Sequence, residues 1–218
     1  MPVWIFVKTT DIAKVWKGLI QPVRNLLRPS VFLISLIPLL LMILAVVNND
    51  LGPDPAKALA LDTGRWTLRF LLLCLLVTPL REMTGWSKLA PLRRTLGLYA
   101  WFYATLHFLV YVIFLLQLRW FEISDDILER PYITVGFLAF LMLCVLASTS
   151  NKFMMRHLGR RWKKLHRLVY VVGALGIIHL TWILRTDITD AVFYATILLL
   201  LLGYRLLAYL RRYRLSKV

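Results

Sequence analysis

Four histidines are the residues of this chain best suited to chemistry, and three of them lie in apolar surroundings. His107, His166 and His179 belong to long hydrophobic segments, whereas His157 lies in the basic segment 151–164 and is expected to be a solvated loop residue. Ionisable residues inside membrane-crossing segments are rare and commonly functional. Because neutral imidazole is a common metal ligand, the three apolar histidines are candidate ligands.

The depths of the histidines along their segments predict which of them act together. His107 lies about twelve residues into a segment that starts near Leu96, and His179 lies about fourteen residues into one that starts near Leu165. At a rise of 1.5 Å per helical residue, these depths are about 17 Å and about 20 Å. Two imidazoles at one depth on different helices can ligate one iron from opposite faces, and a planar haem between the helices fills the apolar slot.

His166 is predicted to serve a different site. It precedes His179 by 13 residues, which is about 20 Å of helix and leaves the two side chains on different faces. The alternative in which each histidine only hydrogen-bonds a neighbouring helix stays open. Zinc or copper is less favoured, because no acid or cysteine lies near the histidines in the sequence to complete a site.

The helices that must position these histidines are predicted to span a membrane. Of the 218 residues 60% are hydrophobic, and most charged residues lie between the apolar runs. A helical span needs about 20 apolar residues. Six segments are candidates: 31–47, 66–80, 96–118, 132–148, 165–184 and 191–210. We therefore expect an all-α integral membrane protein, a six-helix transmembrane bundle, with Pro38 kinking the first span and Pro79 ending the second.

Lysine and arginine predict the orientation of the spans. Segments 1–30, 81–94, 151–167 and 205–218 hold 21 of the 27 basic residues, and nine of the 11 acidic residues lie on the opposite side. Cytoplasmic loops are enriched in basic residues, so both termini are predicted to be cytoplasmic. The expected organisation is a cytoplasmic segment 1–30, a transmembrane domain 31–210 and a basic cytoplasmic tail 211–218.

Several function classes are disfavoured by composition and motifs. The net charge of +16 comes from short segments between apolar runs, which does not fit nucleic-acid binding. Cys74 and Cys144 lie inside apolar runs and are expected to be core residues without a disulfide. No removable signal peptide is expected. No Gly-rich dinucleotide motif occurs, so the chain is not expected to oxidise a nicotinamide by itself.

Nine short motifs follow one another in the chain between about Leu51 and the C-terminus. They are LGPDP at 51–55, TGR at 63–65, TPL at 78–80, RRTLGL at 93–98, ATLH at 104–107, RPY at 130–132, LGRRW at 158–162, LHRLVY at 165–170 and IH at 178–179. Together, in this order and spacing, they resemble the ferric-reductase-like transmembrane family. The resemblance implies one or two b-type haems (heme b), with His107, His166 and His179 as ligands, and flavin mononucleotide (FMN).

The resemblance also implies a role and partners. Electrons would be drawn from the quinone pool of a bacterial inner membrane and passed to a periplasmic molybdenum enzyme that reduces methionine sulfoxide in oxidised proteins. Catalysis of that reduction would belong to the partner, so this chain is expected to be its electron-transfer subunit. Another quinone-linked b-type cytochrome and a small non-redox membrane transporter remain the alternatives.

Arg93 is a departure from the wider family, which usually carries two histidines on each of two helices. It precedes His107 by fourteen residues, where a fourth histidine is expected, and it lies within about 40° of the same helix face. Arginine stays protonated and is not an ordinary iron ligand. Its planar fork suits a haem propionate or a flavin phosphate, so Arg93 is predicted to bind a cofactor, with a positive-inside anchor as the alternative.

Two charged connections have two interpretations each. The basic segment 159–164 either sets topology and binds lipid headgroups, or contacts the flavin phosphate or a cytosolic flavin reductase. The acid-rich segment 119–130 is expected to be a solvated loop, with docking of a periplasmic partner by charge complementarity as its alternative.

Overall fold

The structure, a computed structural model, describes residues 26–185 and 187–215, and its regular elements there are all helical. The helices are α1 Leu26–Val47, α2 Pro55–Thr84, α3 Leu92–Val110, α4 Glu122–Glu129, α5 Pro131–Ser148, α6 Lys152–Leu158, α7 Arg160–Leu165, α8 Leu168–Leu184 and α9 Thr189–Leu215. A 3-10 turn, Ser87–Leu89, precedes α3, and a π-helical turn, Tyr111–Leu115, continues it. The predicted all-α class is thus confirmed.

Within residues 26–185 and 187–215, five helical stretches are long and apolar enough to cross a membrane. They are Leu26–Val47, Ser87–Leu115, Pro131–Ser148, Arg160–Leu184 and Thr189–Arg211. Five of the six predicted spans coincide with these stretches, as expected for a multi-pass membrane protein. The remaining predicted span, 66–80, lies inside the 30-residue helix α2, whose ends carry charged residues. The count of six spans therefore stays a prediction.

The connections between the long helices gather at two ends of the molecule. The α1–α2, α3–α5 and α8–α9 connections form one end, which we call the acidic end because most acidic side chains lie there. The α2–α3 and α5–α8 connections form the other, which we call the basic end. The most extensive helix contacts are those of α2 with α3 and of α5 with α8.

Pro38 interrupts α1, and a tyrosine of α3 forms hydrogen bonds with the backbone at the break. A turn at residues 35 and 36 separates the two parts of α1. The Tyr103 hydroxyl donates to the Ser35 carbonyl at 2.9 Å and accepts from the Leu39 N–H at 3.1 Å. These two backbone groups would pair with each other in an unbroken helix. The buried hydroxyl thus replaces the lost bond from both sides and fixes α1 to α3.

Pro79 does not end the second helix, so that prediction is wrong. The helix α2 continues beyond it to Gly85, whose left-handed φ of 68° terminates it. Proline lacks the N–H that would bond the Leu75 carbonyl. Arg205 of α9 donates from Nη2 to that carbonyl at 2.7 Å instead, and its guanidinium also bonds the Tyr170 hydroxyl of α8. One arginine therefore replaces the missing bond and joins three helices.

Two segments expected to be loops contain short helices. Segment 119–130 folds as α4, and segment 151–164 folds largely as α6 and α7. The side chain of Asn151 accepts from the Met154 N–H at 2.7 Å and caps α6. Helix α9 continues to Leu215, through most of the predicted tail 211–218. Most of the predicted segment 1–30 lies outside the described residues.

Candidate functional site

A cavity of about 450 Å³ lies among α2, α3, α5 and α8, towards the acidic end. This volume falls in the range of small-molecule and cofactor sites, about 300–1000 Å³. Leucine, phenylalanine, alanine and glycine form most of its wall, and two of the candidate histidines, His107 and His179, face each other across it. The cavity is therefore an apolar slot with two convergent imidazoles.

The two histidines come from different helices and are oriented by two others. His107 belongs to α3 and its Nδ1 lies 2.9 Å from the Ala60 carbonyl of α2. His179 belongs to α8 and its Nδ1 lies 2.6 Å from the Tyr132 carbonyl of α5. A carbonyl oxygen only accepts, so each Nδ1 carries the proton and each Nε2 keeps its lone pair. Metal-ligating histidines typically have this arrangement, since the outer bond fixes the tautomer and the ring.

The distance between the rings fits one shared iron. A metal–imidazole bond is about 2.0 Å and the nitrogen lies about 1.1 Å from its ring centre, so two axial imidazoles on one ion have ring centres about 6.2 Å apart. The His107 and His179 ring centres are 6.0 Å apart, and their planes are nearly perpendicular at 86°. A planar macrocycle with two axial imidazoles is compatible with both values.

Two glycines allow the histidine rings to lie where they do. A Cβ placed on Gly136 of α5 would lie 2.6 Å from the Cε1 of His179 and 2.7 Å from its Nδ1. A Cβ placed on Gly64 of α2 would lie 3.3 Å from the Cε1 and Nδ1 of His107. Each ring thus packs closely against the backbone of a neighbouring helix, where a glycine leaves the space for it. The sequence analysis missed both glycines as site residues, although Gly64 lies in the quoted TGR motif.

Charged side chains line the cavity only near the acidic end. They are Lys57, Arg119, Glu122, Asp126 and Arg130. Arg119 pairs with Glu122 at 3.0 Å, and the Nε of Arg130 pairs with Asp126 at 3.0 Å. The pKa of Arg130 is raised, first by a side-chain hydrogen bond with Tyr132 and then by the Asp126 carboxylate. This charged rim was not predicted as part of a site.

His166 lies outside this cavity, at the basic end, in the turn between α7 and α8. Its ring stacks on Trp162 with ring centres 3.9 Å apart, and its Nε2 is 3.4 Å from the Ser150 hydroxyl. Its Nδ1 is buried and has no hydrogen-bond partner among the residues that the structure describes. The structure therefore brings two of the three candidate histidines together and leaves the third apart.

Arg93 lines a smaller cavity of about 200 Å³ at the basic end. Its wall also includes Arg81, Thr78, Val77 and Ala90, so two arginines line one small space. The Arg93 carbonyl accepts from the thiol of Cys74 at 3.2 Å, which fixes the start of α3 to α2. Arg93 and His107 thus lie at opposite ends of α3, one at each cavity.

Comparison with known proteins gives a family match and close relatives. The family model described as "Ferric reductase like transmembrane component" matches residues 63–177. A protein of Xanthomonas oryzae pv. oryzae (strain MAFF 311018), named "Protein-methionine-sulfoxide reductase heme-binding subunit MsrQ", is 48% identical over 158 residues, 72% of each chain. A protein with the same name from Xanthomonas campestris pv. campestris (strain 8004) is 47% identical over the same share of both chains.

Proposed function

The chain belongs to the ferric-reductase-like transmembrane family, among relatives named as MsrQ haem-binding subunits, and from that premise we propose that it binds haem b and carries electrons across the bacterial inner membrane. The function is that of an electron-transfer subunit, with catalysis in a separate partner. The family match covers residues 63–177. Those residues include all of α3 and α5, which contribute His107 and the Tyr132 carbonyl.

The facing histidines of α3 and α8 are the observation that carries the proposal. Their ring centres are 6.0 Å apart, both Nδ1 atoms are held by backbone carbonyls, and neither Nε2 has a hydrogen-bond partner among the described residues, which supports their use as ligands of one iron. The apolar wall excludes water and favours a hydrophobic macrocycle. Haem bound there would supply one-electron transfer. We assign His107 and His179 as its two axial ligands and His166 to a separate site at the basic end.

Orientation gives this electron transfer a direction. With 21 of 27 basic residues on one side, the basic end is cytoplasmic, the acidic end is periplasmic, and six spans place both termini in the cytoplasm. His179 lies five residues from the end of α8, which is about 8 Å of helix from the periplasmic end. The histidine pair therefore lies close enough to that surface to serve an acceptor outside the membrane.

The basic end is the proposed entry side for electrons from quinol, with FMN bound there. Arg93 and Arg81 face a small cavity, and bidentate guanidinium groups suit phosphate. The basic segment 160–164 follows the turn after α6 and adds four cations at the same end of the molecule. His166, whose Nδ1 lacks a partner, completes the groups available at this end. A cytosolic flavin reductase is a further donor that the same basic surface would bind.

The proposed acceptor is a periplasmic molybdenum enzyme of the MsrP type that reduces methionine sulfoxide in oxidised proteins. The relatives' name, a subunit of a protein-methionine-sulfoxide reductase, supports this choice over other acceptors. The acidic end, with the exposed helix α4, offers the surface nearest the histidine pair.

The test uses the full chain purified from haem-replete cells and placed in lipid vesicles. We expect a red protein whose haem is reduced by a short-chain quinol. Reoxidation should require both the periplasmic enzyme and a protein containing methionine sulfoxide. A colourless protein would contradict haem binding. A haem that quinol reduces but the enzyme never reoxidises would leave a quinone-linked cytochrome with another acceptor.

A further inference from the structure

The haem cavity is polar at one end only. Its wall around the two histidines consists mainly of apolar side chains and glycine, and its five charged residues all lie near the acidic end. Haem b carries both propionate carboxylates on one edge of the macrocycle. Burying a carboxylate in an apolar wall without a partner is costly, so the propionate edge must face the charged rim.

Three cations and two carboxylates form this rim, and they are not equally engaged. Arg119 uses Nη1 for Glu122 at 3.0 Å and Nε for the Leu116 carbonyl at 3.2 Å. Arg130 uses Nε for Asp126 at 3.0 Å and also has a side-chain hydrogen bond with Tyr132, and the other N–H donors of its fork remain. The Lys57 ammonium has no ion-pair or hydrogen-bond partner within the described residues. Lys57 is therefore the least engaged of the three cations, and each arginine keeps part of its fork for a further anion.

Two of these cations are linked by sequence to the groups that orient the axial histidines. Lys57 precedes Ala60 by three residues on α2, and the Ala60 carbonyl holds His107. Arg130 precedes Tyr132 by two residues at the start of α5, and the Tyr132 carbonyl holds His179. Each cation thus lies about one helical turn or less, towards the acidic end, from a carbonyl that fixes one ligand.

The two carboxylates of the rim, Asp126 and Glu122, already have partners of their own. Asp126 is satisfied by Arg130 and by the Tyr111 hydroxyl, which donates to it at 2.7 Å. Glu122 is satisfied by Arg119. Three cations against two carboxylates leave one positive charge in excess. The Lys57 ammonium and the N–H groups of Arg130 that Asp126 and Tyr132 do not engage offer one donor group to each propionate.

We propose that Lys57 and Arg130 bind the two propionates of the haem held by His107 and His179, so that the propionate edge faces the acidic end. The proposal rests on the haem function proposed above. It assigns a positioning role to two residues that are not iron ligands. Each cation would hold one carboxylate by a charge-assisted hydrogen bond, and together they would fix the rotation of the macrocycle about its axial direction.

The experiment compares haem b with its dimethyl ester, which has the same ring and iron but no propionate charge. Each is loaded into the full chain, and its loss to excess apomyoglobin is timed. We expect the wild-type chain to lose the ester about a hundredfold faster, since one ion pair worth 1.4 kcal/mol is about tenfold. The single changes Lys57→Gln and Arg130→Gln should each reduce that ratio about tenfold, and the double change should abolish it.

Arg185→Gln is the matched control, because Arg185 is an exposed cation at the acidic end that does not line the cavity. It should leave the ratio at its wild-type value. Loss of the two rim cations should also lower the haem midpoint potential while the low-spin spectrum is kept, since ferric haem is the more positive state.

Equal retention of acid and ester by the wild-type chain would overturn the proposal, as would full discrimination in the double variant. Both outcomes leave a low-spin haem in place, so the haem function would survive them. A wild-type chain that forms no low-spin haem would overturn both.

Discussion

At Gly136 the structure predicts that a single added methyl group disrupts the binding of haem iron by His179. The variant Gly136→Ala adds one methyl group 2.6 Å from the Cε1 of His179 and 2.7 Å from its Nδ1. Carbon atoms in contact normally lie about 3.5–4.0 Å apart. Because the neighbouring atoms belong to a ring fixed by the Tyr132 carbonyl at 2.6 Å, the imidazole must move by about 1 Å.

Such a displacement is too large for an axial ligand to keep its bond. Metal–ligand distances tolerate about 0.2 Å, so His179 should leave the iron and His107 should remain as a single axial ligand. Loss of a contact that merely supports a metal ligand typically costs 10–100-fold in affinity, and loss of the ligand should cost at least about as much. The absorption spectrum of the purified variant should show high-spin haem or little haem.

Two other glycines provide controls of graded severity. At Gly64 the added Cβ would lie 3.3 Å from His107, so a shift of a few tenths of an ångström suffices and low-spin haem should persist. At Gly203 of α9 no atom lies within 4 Å of the added Cβ, so Gly203→Ala should keep the wild-type spectrum and gain up to about 1 kcal/mol of helix stability. A normal low-spin spectrum for Gly136→Ala, in a variant that elutes as the wild type, would refute the assignment of His179.

Three further predictions concern the fold around the site. Tyr103→Phe leaves a carbonyl and an N–H of α1 without their shared partner and should lower the free energy of unfolding by about 1–3 kcal/mol. The control Tyr209→Phe, at a tyrosine that is 65% exposed, should change that free energy little. Equal effects of the two changes in thermal unfolding would contradict the account of the α1 break. Arg205→Met removes the donor to the Leu75 carbonyl and should cost about 1–3 kcal/mol in the same assay, and an unchanged unfolding midpoint would show that this carbonyl needs no partner. A reporter fused to the C-terminus should be active only in the cytoplasm, and one inserted in the α3–α5 connection only in the periplasm; the reverse pattern would refute the orientation.

The sequence was informative where apolar runs are long. The lengths of the apolar runs located five stretches that are helical and apolar in the structure. Helix ends were less accurate, because tertiary contacts decide them. Pro79 was expected to stop a helix, yet an arginine 126 residues further on supplies the missing donor at the Leu75 carbonyl. No local pattern reveals that a partner so distant in sequence will be available.

In the candidate site too, local sequence predicted some features, and others depend on contacts between helices. Counting residues placed His107 and His179 at similar depths, and the structure brings their rings to 6.0 Å. His166 was extrapolated along one continuous helix with His179, but a turn separates α7 from α8, so the calculated difference in helix face does not apply. The contributions of Gly136 and of the Ala60 carbonyl depend on how neighbouring helices cross. A single sequence read by itself carries no signal for such crossings.

The α4 segment was misassigned for a different reason. Its acidic residues suggested a solvated loop, yet Asp126 lines the cavity and accepts from Tyr111 at 2.7 Å. The eight residues Glu122–Glu129 form a helix too short to recognise by periodicity alone. Its first-turn acids, Glu122 and Asp125, favour that helix by their interaction with its dipole.

The central claim, one haem shared by the facing histidines, is tested most directly by the spectra of histidine variants. His107→Ala and His179→Ala should each abolish the same low-spin bands, because those bands require both imidazoles and each change removes one of them. The double variant should lose little more. His166→Ala should leave those bands largely intact, as should His157→Ala, which removes an exposed ring at the basic end. If His107 and His166 instead behaved as the matched pair, or if all the single variants kept the wild-type spectrum, the claim would be wrong.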